Sequence, residues 1–533
     1  TLKYALWHRK NSATFKNFIT ASKLKNERKK NGFEEKYEFS GGTSDWIPKK
    51  GKIKEIHQGT SWSDGDCYKY MEGLSRIYAN TTDNLIKDDI KKELDDLIEL
   101  VAGAQENDGY LQTQITIPFK ARWITRLYHE DYNLGHLFTA ASVHFKSTNE
   151  STFLNIAKKA ADNLYNHFSI RQRDAGSFGW NPTHIPGLVD LYRVTGKKKY
   201  LDLAIIFLNS RGSERPIQPE TGDIQGPDDQ NQMAIAFRDE NEAVGHSVTA
   251  CYLYLGASEI YSETGDSSLL TAAKNIWNDV VDRKLYITGA VGALPVGISK
   301  RGFKVWEAFG REYQLPHRIA YNETCANISW GMFCRSMFMV TGESKFADEM
   351  ERVIYNAGIS GLSSDGDAFN YANPLRWYND WDTKDEKFGT MRHFSHQRWQ
   401  IHTCFCCPPQ IFRLSVQLNE WAYYKSNKEL TIALYGAGSI STNIPEIGEV
   451  SLTQETSYPW DGKVTITVVN SPKKEFSIGL RIPSWASGAK INLIGHKNQD
   501  ISTNPGTIKK ISRFWSKGDQ IVLDIPMLTR LVS

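Results

Sequence analysis

The stretch LYRVTGKKKYLDLA, residues 191–204, decides the fold of this 533-residue chain. It reads as a helix end, a Thr-Gly turn and a new helix, because glycine suits the left-handed position that closes a helix. Related stretches recur with their turns at Thr81, Thr148, Thr195, Thr264 and Thr341. Glycine follows three of these threonines, and Asn149 can take the same role after another. A fainter sixth copy is WAYYKSNKELTIALY, residues 421–435.

The helices that flank these turns are predicted to be amphipathic. After Thr82, apolar side chains return every three or four residues, at Ile86, Ile90, Leu94, Leu97 and Val101. Repeated hairpins of such helices bury one face each against their neighbours and form either an open solenoid or a closed toroid. We expect closure into an (α/α)6 barrel over residues 1–427.

The sequence pattern changes beyond about residue 428. KVTITVVN (463–470) and FSIGLRIP (476–483) alternate apolar and polar residues and are separated by turn signals. This pattern predicts a β-sandwich over residues 428–533. The chain stops soon after the strand-like QIVLDIP (520–526), so we expect it to be incomplete at its C-terminus.

Composition excludes several classes of protein. The formal net charge of +3 is nearly balanced, and the basic run KLKNERKK (23–30) is short, which favours a solvated face over a nucleic-acid surface. No apolar run approaches the roughly 20 residues that span a bilayer, so no membrane insertion is expected. A mass of 60.5 kDa predicts two or more domains. A homodimer, and a bacterial periplasmic or cytoplasmic location, stay open.

Three of the seven cysteines lie within HTCFCCPPQ, residues 402–410. An odd and sparse cysteine count argues against a disulfide scaffold. Thiolates can gather around a soft metal without the strain of a disulfide between the adjacent Cys406 and Cys407. The role of Cys404 is not assigned by this pattern.

A second segment, WEAFGREYQLPHRIAYNETCANISW (306–330), offers further ligands. Glu323 stands two residues before Cys325, and Glu307 lies sixteen residues upstream of Glu323. Together the two segments supply one carboxylate and three thiolates, which zinc accepts as ligands. The spacing leaves two interpretations open, metal binding and buried, inert thiols. Three other cysteines lie in helical apolar surroundings and are predicted core residues: Cys67, Cys251 and Cys334.

Seven stretches carry a family resemblance between about residue 60 and about residue 485. They read AQENDGYL, NLGHL, LYRVTG, AVGHSVTACYLYLG, EAFGREYQLPHRIAYNETCAN, CFCCPP and LRIPSW. In this order they resemble glycoside hydrolase family 127, the β-L-arabinofuranosidases, and its relative family 146. The resemblance implies an (α/α)6 barrel followed by β-sandwich domains. It also implies a retaining, exo-acting glycoside hydrolase that releases a terminal β-L-arabinofuranose-like sugar from an oligosaccharide or a pectic glycan.

The same resemblance implies roles for individual residues. In that family one Glu and three Cys hold a zinc ion, one of those cysteines is the nucleophile, and a separate Glu is the acid/base. The implied zinc ligands are Glu323, Cys325, Cys406 and Cys407. The resemblance implies Cys406 as the nucleophile, and bound zinc would deprotonate its thiol. Glu307 is the implied acid/base and would need a raised pKa to act first as an acid and then as a base.

Three histidines precede apolar helical runs, where a lone histidine is commonly structural. The resemblance implies instead that they hold sugar hydroxyls together with a Glu and a Tyr. This set is His136, His184, His246, Glu351 and Tyr371. The chain departs from the family pattern shortly after the second histidine, where Pro186 and Gly187 stand in place of an expected carboxylate.

Two alternatives stay open. RHFSHQRWQIHT (392–403) is rich in Arg and His for a site that receives a neutral pentose. Its Arg392 and Arg398 would suit the same chemistry on an acidic furanose-like sugar, such as the aceric acid of rhamnogalacturonan II. The second alternative is a zinc-stabilised carbohydrate-binding protein. Its signature would be the loss of Glu307, which is present.

Overall fold

The computed structural model describes residues 14–30, 57–118, 120, 122–123, 125–175, 180–213, 228–376, 398, 404, 406–495 and 499–531. The chain divides into two compact units, Thr1–Phe333 with Asn356–Val416, and Cys334–Tyr355 with Gln417–Ser533. The domain boundary expected between residues 427 and 428 stays a prediction. Within the described residues, every helix is too short or too polar to cross a bilayer.

The N-terminal part of the chain is helical, as predicted. Its helices are α1 (Thr14–Lys30), α2 (Ser63–Asn80), α3 (Asn84–Ala104), α4 (Thr113–Thr116), α5 (Glu130–Thr148), α6 (Thr152–Phe168), α7 (Gln172–Ala175), α8 (His184–Thr195), α9 (Lys198–Asn209), α10 (Ser247–Thr264), α11 (Ser267–Arg283), α12 (Thr324–Thr341), α13 (Ser344–Arg352) and α14 (Cys407–Ala422). Short 3-10 turns span Arg126–Tyr128 and Phe237–Asp239, and a π turn spans Val353–Ala357.

Four helices of the first unit, α2, α5, α8 and α10, pack on one another in chain order. Helix α2 packs on α5, α5 on α8, and α8 on α10. Each of these helices also packs on the helix that follows it, as α2 does on α3 and α5 on α6. Helices α2, α5 and α10 are buried along most of their length, whereas α3, α6 and α11 bury one stripe each. These hairpins therefore pair one largely buried helix with one amphipathic helix.

The helix ends predicted from the Thr-Gly turns are confirmed. Helices α5, α8, α10 and α12 end at a threonine, and the next residue has a φ of 60° at Asn149 and of 67–69° at the three glycines. At each end the threonine Oγ1 donates to the carbonyl four residues back and accepts the N–H two residues on. The threonine hydroxyl therefore satisfies backbone groups on both sides of the turn.

Helix α3 begins after Asp83, whose carboxylate caps the N–H groups of Leu85 and Ile86. The predicted face is buried at Ile90, Leu94, Leu97 and Val101. Ile86 is 41% exposed, so its assignment to this face was wrong. It lies in the capped first turn, before the buried stripe begins.

The C-terminal part is all β, as predicted. Its strands are β3 (Tyr423–Lys425), β4 (Glu429–Ile432), β5 (Gly438–Ile444), β6 (Gly448–Thr456), β7 (Lys463–Asn470), β8 (Glu475–Ile482), β9 (Lys490–Ile494), β10 (Gln499–Ile501), β11 (Thr507–Phe514) and β12 (Gln520–Asp524). One sheet has the order β10-β9-β12-β7-β6-β5 and the other β11-β8-β4-β3. Buried side chains from both sheets form one apolar core. In the first unit, β1 (Leu294–Ile298) and β2 (Lys304–Ala308) form an antiparallel hairpin.

The sixth helical copy predicted at residues 421–435 is wrong. Helix α14 ends at Ala422, and strand β3 then pairs antiparallel with β4, with Tyr423 opposite Ile432. Aromatic and β-branched residues in this stretch favour a strand over a helix. The β pattern therefore begins at Tyr423, five residues before the expected position 428.

Candidate active site

One cavity of about 400 Å³ in the first unit brings the two cysteine-bearing segments together. Six of the residues singled out from the sequence line it: His246, Glu307, Glu323, Cys325, Tyr371 and Cys406. Cys404, which the sequence left unassigned, also lines it, and its Sγ lies 3.5 Å from that of Cys406. The cysteines expected in the core, Cys67, Cys251 and Cys334, are fully buried.

Helix starts position the cysteine-bearing segments. Helix α12 begins at Thr324, between Glu323 and Cys325, and the N–H of Thr324 donates to the carbonyl of Tyr371 over 3.0 Å. Helix α14 begins at Cys407, and two prolines follow in its first turn. Proline fits there because the first helical N–H groups have no partner inside the helix. The sequence CCPP thus ends a loop and begins a helix at a fixed point.

Four buried side chains from these segments form a compact cluster. The Sγ atoms of Cys325 and Cys407 lie 3.5 Å apart, and Cys406 Sγ lies 3.6 Å from Glu323 Oε1 and 3.8 Å from Cys407 Sγ. One ligand atom from each residue lies within 4.8 Å of all the others, so the cluster could hold a metal ion. All seven cysteines are free thiols, which agrees with the exclusion of a disulfide scaffold.

The cluster is electrostatically unfavourable as a set of anions. Burial, followed by the charge of Glu307, raises the pKa of Glu323 well above its usual value. Burial, followed by hydrogen bonding from the neighbouring thiols, raises the pKa of Cys407 well above that of a free thiol. Such groups ionise together only when a cation compensates their charge. The arrangement therefore suits a cation.

The Glu307 carboxylate takes part in a separate hydrogen-bond network beside the cluster. His246 Nε2 lies 2.8 Å from Glu307 Oε2, and the Tyr321 hydroxyl donates to Oε1 over 2.8 Å. The N–H of Val248 donates to His246 Nδ1 over 3.3 Å, so the proton of a neutral imidazole lies on Nε2 and faces Glu307. Glu307 has a φ of 53°, a left-handed conformation that is uncommon outside glycine and clusters at functional sites.

The pKa of Glu307 departs from the expectation drawn from the sequence. Burial alone would raise it, but the charge and hydrogen bond of His246 and the hydrogen bonds from Glu323 and Tyr321 outweigh burial and lower the pKa to about 2. The raised pKa expected for an acid is therefore not found in this arrangement. A proton shared by the facing carboxyls lies on Glu323, whose pKa is raised.

Comparison with known proteins identifies the family. The model described as beta-L-arabinofuranosidase, GH127 catalytic domain, matches residues 2–420, and the GH127 middle domain matches residues 429–527. The chain belongs to glycoside hydrolase family 127. As the family 127 members to which it is similar indicate, it is a glycoside hydrolase, which confirms the enzyme class that the resemblance implied.

Three relatives show how far the similarity of this family 127 enzyme extends. The non-reducing end β-L-arabinofuranosidase of Bifidobacterium longum subsp. longum is 28% identical over 506 residues, which cover 90% of this chain and 73% of that protein. The crystal structure of Ara127N-Se, a GH127 β-L-arabinofuranosidase from Geobacillus stearothermophilus T6, has a TM-score of 0.80 and 32% identity over 97% of this chain and 76% of that one. The GH127 β-arabinofuranosidase BT3674 has a TM-score of 0.78 and 29% identity, covering 99% and 77% of the two chains.

Lys69 of the family 127 enzyme lines the cavity and was missed in the sequence. Its Nζ lies 2.6 Å from the Tyr132 hydroxyl, 3.3 Å from Asp66 Oδ1 and 3.4 Å from the Cys406 carbonyl. Burial lowers its pKa, but the charges of Tyr132, Asp66 and two cysteines outweigh burial and raise the pKa well above its usual value. A sequence signal existed, since Asp66 and Lys69 stand three apart among aromatic residues of one helix.

A row of aromatic rings was also missed in the sequence. Ring centroids lie 4.9 Å apart between Trp62 and His129, 5.8 Å between His129 and Trp180, and 6.4 Å between Trp180 and His246. These four residues and Trp306 line the cavity. Burial lowers the pKa of His129 to about 4, so its imidazole is neutral at neutral pH. Trp62, Trp180, Trp306 and the neutral ring of His129 therefore form an apolar part of the cavity wall.

Two of the histidines predicted to bind sugar are buried and are not among the residues that line the cavity. His136 lies edge to face with Tyr132, at a centroid distance of 4.6 Å, and burial lowers its pKa well below the usual value. His184 is fully buried against Phe207, and its Nδ1 lies 3.5 Å from Asp131 Oδ2. Their roles with sugar stay predictions.

The departure after His184 has a packing explanation. A Cβ on Gly187 would lie 2.5 Å from the carbonyl oxygen of Gly135, and one on Gly135 would lie 2.3 Å from the backbone N of His184. Helices α5 and α8 therefore cross where neither residue has room for a side chain. A carboxylate at position 187 would prevent this crossing.

Glu351 belongs to the second unit, where its carboxylate is engaged. Arg481 donates to Oε1 and also binds Asp348 over 2.6 Å, and the Tyr458 hydroxyl donates to the same Oε1 over 2.8 Å. The proposed sugar contact of Glu351 stays a prediction. Arg398 is exposed and donates to the carbonyl of Ser360 over 2.5 Å, and Arg392 lies outside the described residues.

Proposed function

We propose that this enzyme is a retaining, exo-acting β-L-arabinofuranosidase that releases a terminal β-L-arabinofuranose from plant glycans. The observation that carries the proposal is the single cavity that holds both Glu307 and the Glu323–cysteine cluster with Cys406. The similar proteins of Bifidobacterium longum and Geobacillus stearothermophilus are described as β-L-arabinofuranosidases, the former acting at a non-reducing end. We also propose that the helical hairpins close into an (α/α)6 barrel and that the two C-terminal sheets form a β-sandwich.

Zinc is the metal that the cluster fits best. Zinc–sulfur bonds of about 2.3 Å at tetrahedral angles hold two sulfur ligands about 3.8 Å apart. The separations of 3.5 Å and 3.8 Å that Cys407 Sγ makes with Cys325 Sγ and Cys406 Sγ support this fit. Glu323 would be the fourth ligand, with Oε1 at 3.6 Å and 4.0 Å from two of the sulfurs. Bound zinc would keep these thiols ionised at neutral pH.

The reaction would use one sulfur and one carboxyl group in two steps. Cys406 Sγ attacks the anomeric carbon, the glycosidic C–O bond breaks, and Glu307 gives a proton to the departing oxygen. Glu307 then takes a proton from water, the water oxygen bonds to the anomeric carbon, and the bond to Cys406 Sγ breaks. Two displacements at one carbon retain its configuration.

His246 and Tyr321 would serve Glu307 in both steps. Their hydrogen bonds occupy both carboxylate oxygens and so fix the direction of the carboxyl group. His246 also keeps the N–H of Nε2 directed at Glu307, 2.8 Å away, and so stabilises the carboxylate that takes a proton from water in the second step. Lys69 would hold the loop that carries the nucleophile through its contact with the Cys406 carbonyl.

A neutral pentose fits the described lining better than an acidic sugar. Lys69 is the one Lys or Arg among the lining residues that the structure describes, and Tyr132, Asp66 and Cys406 engage its ammonium group. Arg398, which suggested an acidic substrate, contacts the Ser360 carbonyl instead.

Covalent labelling tests the proposal. An activated β-L-arabinofuranoside or a cysteine-directed analogue should leave one pentose-sized adduct, which peptide mass spectrometry should locate on Cys406. Cys406→Ser should abolish both the adduct and turnover, because a serine hydroxyl is not ionised at neutral pH. Cys404→Ser, which changes a thiol 3.5 Å away, is the matched control and should keep the adduct. A label on a carboxylate would replace the thiolate mechanism with a two-carboxylate one.

A further inference from the structure

The residues that line the cavity differ widely in exposure. Glu323 is 2% exposed and Cys406 8%, whereas Trp306 is 41% exposed. The side chain of Glu307 lies between these extremes at 21%. If the proposed function holds, the sugar to be released lies at the buried end with Cys406, and its glycosidic oxygen lies near Glu307. The leaving group must then extend toward the exposed end, where Trp306 lies.

Trp306 and Glu307 line the same cavity although they are neighbours in strand β2. Neighbouring side chains of a regular strand point to opposite faces. The left-handed backbone of Glu307, with a φ of 53°, breaks that alternation. The N–H of Trp306 donates to Gln230 Oε1 over 2.7 Å, which fixes the strand just before the carboxylate. The Trp306 indole lies beside the Lys304 ammonium group, whose Nζ is 4.6 Å from the ring centroid, and it lines the cavity next to the proposed acid/base.

A second indole, that of Trp180, contacts His246, which is hydrogen-bonded to Glu307. Trp180 lies edge to face with His246, at a centroid distance of 6.4 Å, and His246 bonds Glu307. The Arg126 guanidinium lies 5.2 Å from the centroid of the Trp180 ring and is paired with Asp228, so a cation–π contact fixes the ring. Both indoles line the cavity.

We propose that Trp306 and Trp180 form a leaving-group subsite, which binds the unit on the far side of the scissile bond. This inference rests on the proposed function and deepens it. An indole face binds the apolar C–H face of a sugar ring or an aryl group. The subsite therefore selects glycosides whose leaving group carries a ring.

Two substrates that differ only in the leaving group test the subsite. β-L-Arabinofuranosyl fluoride has no ring to stack, whereas a β-L-arabinofuranosyl disaccharide does. For Trp306→Ala, the ratio of kcat/KM for the disaccharide to kcat/KM for the fluoride should fall about tenfold relative to the unmodified enzyme. Trp306→Phe should restore most of that ratio. Trp460→Ala removes a 92% exposed indole and should leave the ratio unchanged.

An unchanged or increased ratio in Trp306→Ala would overturn the subsite. A binding measurement separates this result from a failure of the proposed activity. Glu307→Gln enzyme titrated calorimetrically with the disaccharide should bind it about tenfold more tightly than Glu307→Gln/Trp306→Ala enzyme. If neither substrate is hydrolysed but this difference in binding persists, the proposed activity is wrong and the subsite stands. Equal binding by the two variants would overturn the subsite.

Discussion

His246 Nε2 lies 2.8 Å from Glu307 Oε2, and the Val248 N–H binds the other nitrogen of the same ring. One backbone hydrogen bond therefore sets the tautomer that faces the carboxylate. The two residues are 61 positions apart in the sequence, at the start of α10 and in β2. In the proposed mechanism His246 therefore positions Glu307, in addition to making the sugar contact expected from the sequence.

Glu307→Gln should lower turnover of substrates with poor leaving groups by about 10²–10⁴-fold, because proton donation to the departing oxygen is lost. Activated aryl glycosides should be affected much less in the first step. Steady-state kinetics on both substrate types measure the difference, and elemental analysis should find the metal content unchanged. Glu312→Gln changes an exposed carboxylate of the same segment and serves as the control. Full activity of Glu307→Gln on a poor leaving group would exclude the assigned role.

The purified enzyme should hold about one zinc ion per chain, because three thiolates and one carboxylate complete a tetrahedral set. Cys325→Ala should reduce that stoichiometry, since it removes a sulfur 3.5 Å from Cys407 Sγ. Cys404→Ala should retain the metal, since Cys404 lies outside the four-residue set. Elemental analysis measures all three proteins. An active preparation with far less than one zinc per chain would contradict the site.

Lys69→Met should destabilise the fold by about 3–5 kcal/mol, because it leaves the buried carboxylate of Asp66 without its cation. Both side chains are about 1% exposed. Chemical unfolding curves measure the loss, and Lys69→Met/Asp66→Asn should recover part of it. Lys92→Met removes an ammonium group whose side chain is 78% exposed and should change stability by less than about 1 kcal/mol. A loss as small as that of the control would show that Asp66 does not depend on Lys69.

Glu130 should make stability fall as the pH rises from about 4.5 to about 7. Burial raises its pKa to about 7, although hydrogen bonds from Tyr110 and Trp123 oppose the shift. The folded chain therefore keeps a proton that the unfolded chain loses above its ordinary pKa of 4.5. Below pH 4.5 both states are protonated and nothing is lost, and above pH 7 the penalty is complete.

Glu130→Gln removes this titration. The variant should gain stability relative to the unmodified enzyme between pH 5 and pH 8, by about 3 kcal/mol at most. Thermal unfolding at the two pH values measures the gain. Glu99→Gln, at an exposed position, should give the same difference from the unmodified enzyme at both pH values. A constant difference for Glu130→Gln would mean that its pKa is not raised.

Local chemistry explains what the sequence predicted well. The turn after Thr195 needs only a threonine hydroxyl and a glycine at φ 67°, and both are visible in the sequence. Strands β7 and β8 were predicted from alternation for the same reason. The sixth helical copy predicted for the stretch that begins WAYY was wrong, because its aromatic residues favour a strand once helix α14 has ended at Ala422.

Contacts between residues that are far apart in the sequence could not be predicted from local patterns. Cys325 and Cys407 are 82 residues apart, and spacing alone left metal binding and inert thiols equally open. The family resemblance predicted that both residues belong to one zinc site, because a family pattern reflects a shared three-dimensional arrangement. Glu351 illustrates the converse, because its partner Arg481 lies 130 residues away and has no local signal.

The four turns that follow a helix-ending threonine, here called threonine-capped corners, have a consequence for recognising similar chains. A Cβ added at Gly196, Gly265 or Gly342 meets nothing within 4 Å, so only the backbone conformation favours glycine there. Asn149 adopts that conformation in the fourth corner, with the same pair of threonine hydrogen bonds. A sequence search that requires Thr-Gly would miss this corner, whereas one that requires the threonine and accepts glycine or asparagine would find all four.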